Sequence, residues 1–136
     1  MGSENLAYAL TQVVHNFGTA FVLGGAVFAL WPMPRLEFAR TFARLICFAW
    51  GAQIASGMAF GLTSFYYYGE TPDLSAIAMA ALVIKVAAAI SGFLLAAAYL
   101  VRGREWSRQR VKRIFQTLAA LGAIALTAAA FLRWFS

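Results

Sequence analysis

Four long apolar stretches, separated by short segments that hold most of the charge, organise the whole chain and predict helices near 7–31, 38–67, 74–101 and 111–134. Each exceeds the roughly 20 residues that a helical membrane span needs. No segment alternates polar and apolar residues with period two, so a β-barrel is not expected, and a bilayer core admits no other structure than the helix. The punctuation agrees with this division. Trp31-Pro32-Met33-Pro34 closes the first stretch, because neither proline continues a helix from the residue before it. The second ends in Phe65-Tyr66-Tyr67-Tyr68, an aromatic belt of the kind found at bilayer interfaces, followed by the turn-forming Gly69-Glu70-Thr71-Pro72-Asp73. The third and fourth are joined by Arg102-Gly103-Arg104-Glu105-Trp106-Ser107-Arg108-Gln109-Arg110. The expected fold is all-α, an integral membrane four-helix bundle forming a single domain over residues 1–136.

Composition strengthens the membrane reading. Hydrophobic residues make up 62% of the 136 and charged residues only 12%, against about one quarter charged in a soluble domain. The net charge of +6 does not point to nucleic acid, because the cations sit where topology alone places them. Arg35, Arg40 and Arg44 follow the first helix, and Arg102, Arg104, Arg108, Arg110, Lys112 and Arg113 follow the third, nine on one side. The opposite side has Glu4, Glu70, Asp73 and one cation, Arg133. Short loops rich in Lys and Arg stay cytoplasmic, so both termini are expected outside, in the periplasm if this is a bacterial inner membrane. Contact of the basic loops with anionic lipid follows from the same placement. The start, MGSENLAY, lacks the basic region of a signal peptide, so the first helix is read as retained. The single cysteine, Cys47, lies in an apolar run and reads as a packing residue.

The candidate chemistry lies in the few polar residues inside the apolar stretches: His15, Asn16 and Thr19, Gln53 and Ser56, Lys85 and Ser91, and Thr127. Ionisable groups in a span are costly and mark a functional site turned away from lipid. At a rise of about 1.5 Å per residue, His15 and Lys85 fall at similar depths, about 15 Å below the outer edge. Gln53 and Thr127 are expected in the same layer. Stepping by three and four residues gives small-residue stripes: Gly18, Val22, Gly25 and Ala29 from His15; Trp50, Gly57, Gly61 and Ser64 from Gln53; Ala89, Gly92 and Ala96 from Lys85; Ala123 and Ala130 from Thr127. Membrane helices pack through such stripes, so a shared interior site is expected.

Each of these residues also has a plainer role. Gln53, Ser56, Ser91 and Thr127 read as interhelical hydrogen bonders. His15 is either held by a partner such as Gln53 or binds a metal or haem iron through one nitrogen. Lys85 has no acidic residue in any span to pair with. It calls for an anionic group such as a haem propionate, a quinone oxygen or a lipid phosphate, or else it is a neutral amine bonded to backbone carbonyls. Met58 and Met79 lie near the His15 level and would complete a His-Met-Met set for Cu(I). No catalytic constellation and no multi-Cys or multi-His metal motif accompanies them.

His15 followed by Leu23-Gly24-Gly25, an arginine-headed second helix running to Ser56-Gly57, Val83-Ile84-Lys85-Val86 and a basic last loop resemble the CopD-like copper-resistance membrane domains and the related HemJ-type haem-binding four-helix proteins. The resemblance implies a small membrane protein that handles copper or haem b, with His15 and Lys85 matching the helix 1 histidine and helix 3 lysine. The further histidine of HemJ-type proteins is absent between Ala87 and Gly92, so porphyrin oxidation is not expected. A free-standing copy of the domain also fits an accessory or anchoring subunit of a respiratory or photosynthetic complex, or a homo-oligomer, its polar belt facing a quinone, pigment or partner helix.

Overall fold

A computed structural model of the chain describes residues 3–30, 36–70 and 73–135. Four long helices account for nearly all of them: α1 (Ser3–Leu30), α2 (Ala39–Tyr68), α3 (Ala76–Arg102) and α4 (Arg108–Phe135). No strand occurs among the described residues. All four are long and apolar enough to cross a membrane, so the chain is built as a multi-pass membrane protein. The proline stop at Trp31-Pro32-Met33-Pro34 lies outside the described residues, as does Pro72.

The linkers are short and locally determined. Gly69 takes a φ of 74°, a left-handed conformation that glycine adopts without a Cβ penalty, and its N–H bonds the Phe65 carbonyl to end α2. The Ser75 hydroxyl accepts from the Ala78 N–H at 3.2 Å and caps α3. A single 3₁₀ turn at Gly103–Glu105 then carries the chain into α4. At the end of α3, Arg40 of α2 donates to the Leu100 carbonyl at 3.0 Å, filling one of the acceptors that the last helical turn leaves open.

Around the bundle α1 packs on α2 and α4, and α3 packs on α2 and α4, which leaves α1 diagonally opposite α3. Chain direction alternates. The start of α1 and the end of α4 therefore lie at one end with the tyrosine run, where Tyr67 reaches Ser3 and Tyr68 reaches Glu4. The other, basic end carries Arg40, Arg44 and the α3–α4 linker. The interior has two tiers. From the basic end to the middle it is filled by Ile46, Trp50, Phe115 and Leu118, the largest fully buried side chains. Tyr99 joins this tier, packed against Phe115 and Trp106 with ring centroids 5.8 and 5.9 Å apart. Towards the tyrosine end the buried positions are small or polar instead: His15, Gln53, Ser56, Ser64, Ala78, Ala81 and Ala128. Phe17, Phe28, Phe48, Leu62 and Leu94 point outward, an apolar girdle suited to lipid.

Two expected packing faces differ from those found. Gly57 and Gly61 do not join the buried stripe of α2; both are exposed, and a Cβ on either would meet nothing within 4 Å. The stripe runs instead from Gln53 through Ser56 and the half-buried Phe60, the side on which α1 lies. Thr127, Ala123 and Ala130 are likewise exposed, and the Thr127 hydroxyl bonds back to the Ala123 carbonyl at 2.9 Å. The buried positions of α4 are Val111, Phe115, Leu118, Gly122 and Ala128, about 100° around the helix from Thr127 at the last of them. Alanine on every side of α4 leaves a small-residue stripe with no power to tell its faces apart.

Candidate functional site at the His15–Lys85 centre

Distance from the helix ends sets the level of the site. His15 stands twelve residues after Ser3, Ser56 twelve before Tyr68 and Lys85 nine after Ala76, which at about 1.5 Å per residue puts all three roughly 14 to 18 Å below the tyrosine end. Small neighbours then let the helices close around them. A Cβ on Gly18 would stand 2.6 Å from the Gln53 amide nitrogen and 3.3 Å from the Ala49 carbonyl oxygen, so only glycine admits Gln53 to α1 at this point. On α3, Lys85 is rooted between the buried Ala81, Ala88 and Ala89.

The imidazole of His15, 8% exposed, is engaged at both nitrogens. Nδ1 lies 2.7 Å from the Ser56 hydroxyl, and that hydroxyl lies 2.6 Å from the Ala52 carbonyl, to which it donates. With its hydrogen committed to the carbonyl, Ser56 can only accept from His15, which places the imidazole hydrogen on Nδ1 and leaves Nε2 as an acceptor. Nε2 in turn lies 3.2 Å from Nζ of Lys85, which reaches it across the bundle diagonal from α3. Phe60 meets the imidazole edge-on, centroid to centroid 5.7 Å at 72°.

The backbone of His15 is held as firmly as its ring. Its carbonyl accepts from the Gln53 amide at 2.6 Å and from the Thr19 hydroxyl at 2.9 Å, and the same hydroxyl stands 3.3 Å from the Gln53 carbonyl oxygen. Gln53 thus partners His15 through the main chain, whereas Ser56 and Lys85 hold the ring. The arrangement fixes ring orientation and leaves Nε2 as the one position at which His15 can change partner.

Of the residues expected at the site, the structure brings together His15, Thr19, Gln53, Ser56 and Lys85. It does not bring in the others. Met58 is 63% and Met79 49% exposed. Met58 is two residues past Ser56 and so faces about 200° away from the side that meets His15. Asn16 is exposed and bonded to Gln12 at 2.7 Å, and Ser91 and Thr127 are exposed. No group of three His, Cys, Asp or Glu side chains able to hold a metal occurs among the described residues. The direct Lys85–His15 contact is the feature that residue types conceal, since pairing rules look for opposite charge and both groups are bases. Their equal depth was the available signal.

Family models, curated proteins and solved structures give no match to this chain. Fold and site together define a class only: a four-helix, multi-pass membrane protein with a basic polar centre in its interior.

Proposed function

We propose that the chain is a non-enzymatic protein of the bacterial inner membrane, CopD-like in kind, with both termini outside, that binds haem b at the His15–Lys85 centre. The observation that supports this is the way His15 is prepared: Nδ1 held by Ser56 at 2.7 Å, Nε2 turned to the interior with Lys85 before it at 3.2 Å. A ligating histidine has this form, its second nitrogen tied to a neighbouring polar group that fixes ring and tautomer. The donor set suits a haem: one imidazole nitrogen as the iron ligand and one lysine amine for a propionate, in a tier lined by alanine and polar side chains. Haem bound there would supply a redox-active iron. Copper fits less well, because Met58 faces away from His15. The nine cations in the two connections and the helix ends beside them support the orientation. A subunit role in a larger membrane complex is the second reading, favoured by the open Gly57 and Gly61 face, on which a partner helix can approach closely; stoichiometric copurification of a partner would support it.

The test is spectroscopic. Protein extracted in mild detergent should carry haem with a Soret band, His15→Ala should lose it, and Lys85→Met should lower occupancy while leaving the band of the remaining haem in place. A wild-type protein with neither haem nor copper, or a Soret band untouched by His15→Ala, would overturn the proposal.

A further inference from the structure

The seam between α2 and α3 at the basic end joins charge to a lane of small side chains. Arg40 reaches across it to donate to the Leu100 carbonyl at 3.0 Å, which occupies one of the five N–H groups of its guanidinium. Its Nη1 is buried and has no acceptor among the described residues. A charge sunk part-way into a membrane protein without a counter-charge is costly, so Arg40 calls for an anion beside it. The chain offers little. The acids at this end are Glu37 and Glu105, both exposed, against two arginines of α2 and six cations between Arg102 and Arg113.

Arg44 stands one turn further into the span on the same side of α2 and is exposed, so an anion that it holds lies next to Arg40. Beyond the two arginines the seam turns apolar. On α2 come the half-buried Cys47 and Gly51, and a Cβ on Gly51 would meet the Phe93 ring of α3 at 3.7 Å. On α3, Phe93, Ala97 and Val101 fall at every fourth residue and share a face, with Ala97 half-buried and Val101 79% exposed. The two contacts fix the register: Arg40 is level with Leu100, and Gly51 with Phe93. Cys47 and Ala97, small side chains between those levels, leave a shallow lane that runs from the arginines towards the middle of the bilayer.

We propose that this seam binds one anionic diacyl phospholipid, its phosphate beside Arg40 and Arg44 and one acyl chain laid over Ala97 towards Phe93. The chemistry of the partner follows from both halves. An acidic protein segment satisfies the arginines but not the lane, and a zwitterionic lipid brings a cation of its own among eight others. Basic pockets between membrane helices take anionic head groups in this way. The site is narrower than the contact of the basic loops with the bilayer surface, because it assigns binding to two arginines of α2 and not to the larger number around the α3–α4 connection. It does not depend on haem at the His15–Lys85 centre, and either can fail alone.

Protein delipidated in detergent is titrated with phosphatidylglycerol or with phosphatidylcholine of the same acyl chains, and bound lipid is counted by native mass spectrometry. The wild type should bind one phosphatidylglycerol with about tenfold preference over phosphatidylcholine. Arg40→Gln combined with Arg44→Gln should remove most of that preference. Arg108→Gln combined with Arg113→Gln is the same loss of charge on exposed residues of α4, diagonally across the bundle from α2, and should leave it nearly unchanged. Ala97→Phe, which alters no charge, should weaken binding by filling the lane, and excess inorganic phosphate should not displace the lipid. Equal losses from the two double variants would reduce the site to general attraction and overturn the proposal. So would a wild type without preference between the two lipids, displacement by inorganic phosphate, or undiminished binding in Ala97→Phe. Should the Arg40 variant fail to fold, Arg44→Gln alone decides: it keeps the Arg40–Leu100 bond and should lower affinity by about fivefold.

Discussion

The residue that does most to assemble the centre is one without a side chain. Gly18 leaves the space through which Gln53 reaches the His15 carbonyl, and that bond, with the one from Thr19, holds His15 between Ser56 and Lys85. Gly18→Ala should push the Gln53 amide off its acceptor and lower stability by about 1 to 3 kcal/mol, the cost of a buried polar group left unpaired. Gly24 is a matched control, since a Cβ there meets nothing within 4 Å. Melting curves in detergent should show Gly18→Ala clearly below wild type and Gly24→Ala near it; equal melting temperatures for the two would remove Gly18 from this role. At this scale the sequence was informative about membership and silent about pairing. A polar residue deep in an apolar helix is conspicuous, so His15, Thr19, Gln53, Ser56 and Lys85 could all be read. Whether Gln53 bonds the ring or the main chain of His15 depends on side-chain directions that spacing does not carry.

Element boundaries followed the apolar stretches closely. α1 begins nearer the N-terminus than expected, at Ser3, and α4 begins at Arg108, so that Arg108 and Arg110, expected in the linker, belong to the helix. Helix faces were legible only where bulk distinguishes them. The His15, Gly18, Val22, Gly25 and Ala29 stripe of α1 is buried as expected, and so are Ala89, Gly92 and Ala96 of α3. The Gly57 and Gly61 face of α2 and the Thr127 face of α4 are exposed, because small residues suit close packing without requiring it. Substitution separates the two kinds of glycine. Gly92 lies under the indole of Trp50, itself only 1% exposed, so Gly92→Leu must displace the largest buried side chain and should be severely destabilising. Gly57→Leu should leave the melting temperature of the isolated chain nearly unchanged. A large loss from Gly57→Leu would show that this face is covered within the chain.

The whole molecule is a bundle in two tiers, an aromatic and aliphatic core from the basic end to the middle and a hydrogen-bonded centre towards the tyrosine end. Composition announced the membrane and the number of crossings. The diagonal contact between α1 and α3 is a property of the assembled bundle, so no single helix could disclose it. Orientation is a separate property of the whole: reporter fusions after Arg104 should read cytoplasmic and fusions after Ser136 external, and the opposite pattern would invert the placement of the centre in the bilayer. The contact itself can be observed directly, because the chain has one histidine and only two lysines. Protein with ¹⁵N in histidine and lysine side chains, reconstituted in lipid, should give a solid-state NMR correlation between an imidazole nitrogen and a lysine amine. That correlation should vanish in Lys85→Met and persist in Lys112→Met. A wild-type spectrum without it, or a correlation lost with Lys112 instead, would contradict the His15–Lys85 centre on which the functional account rests.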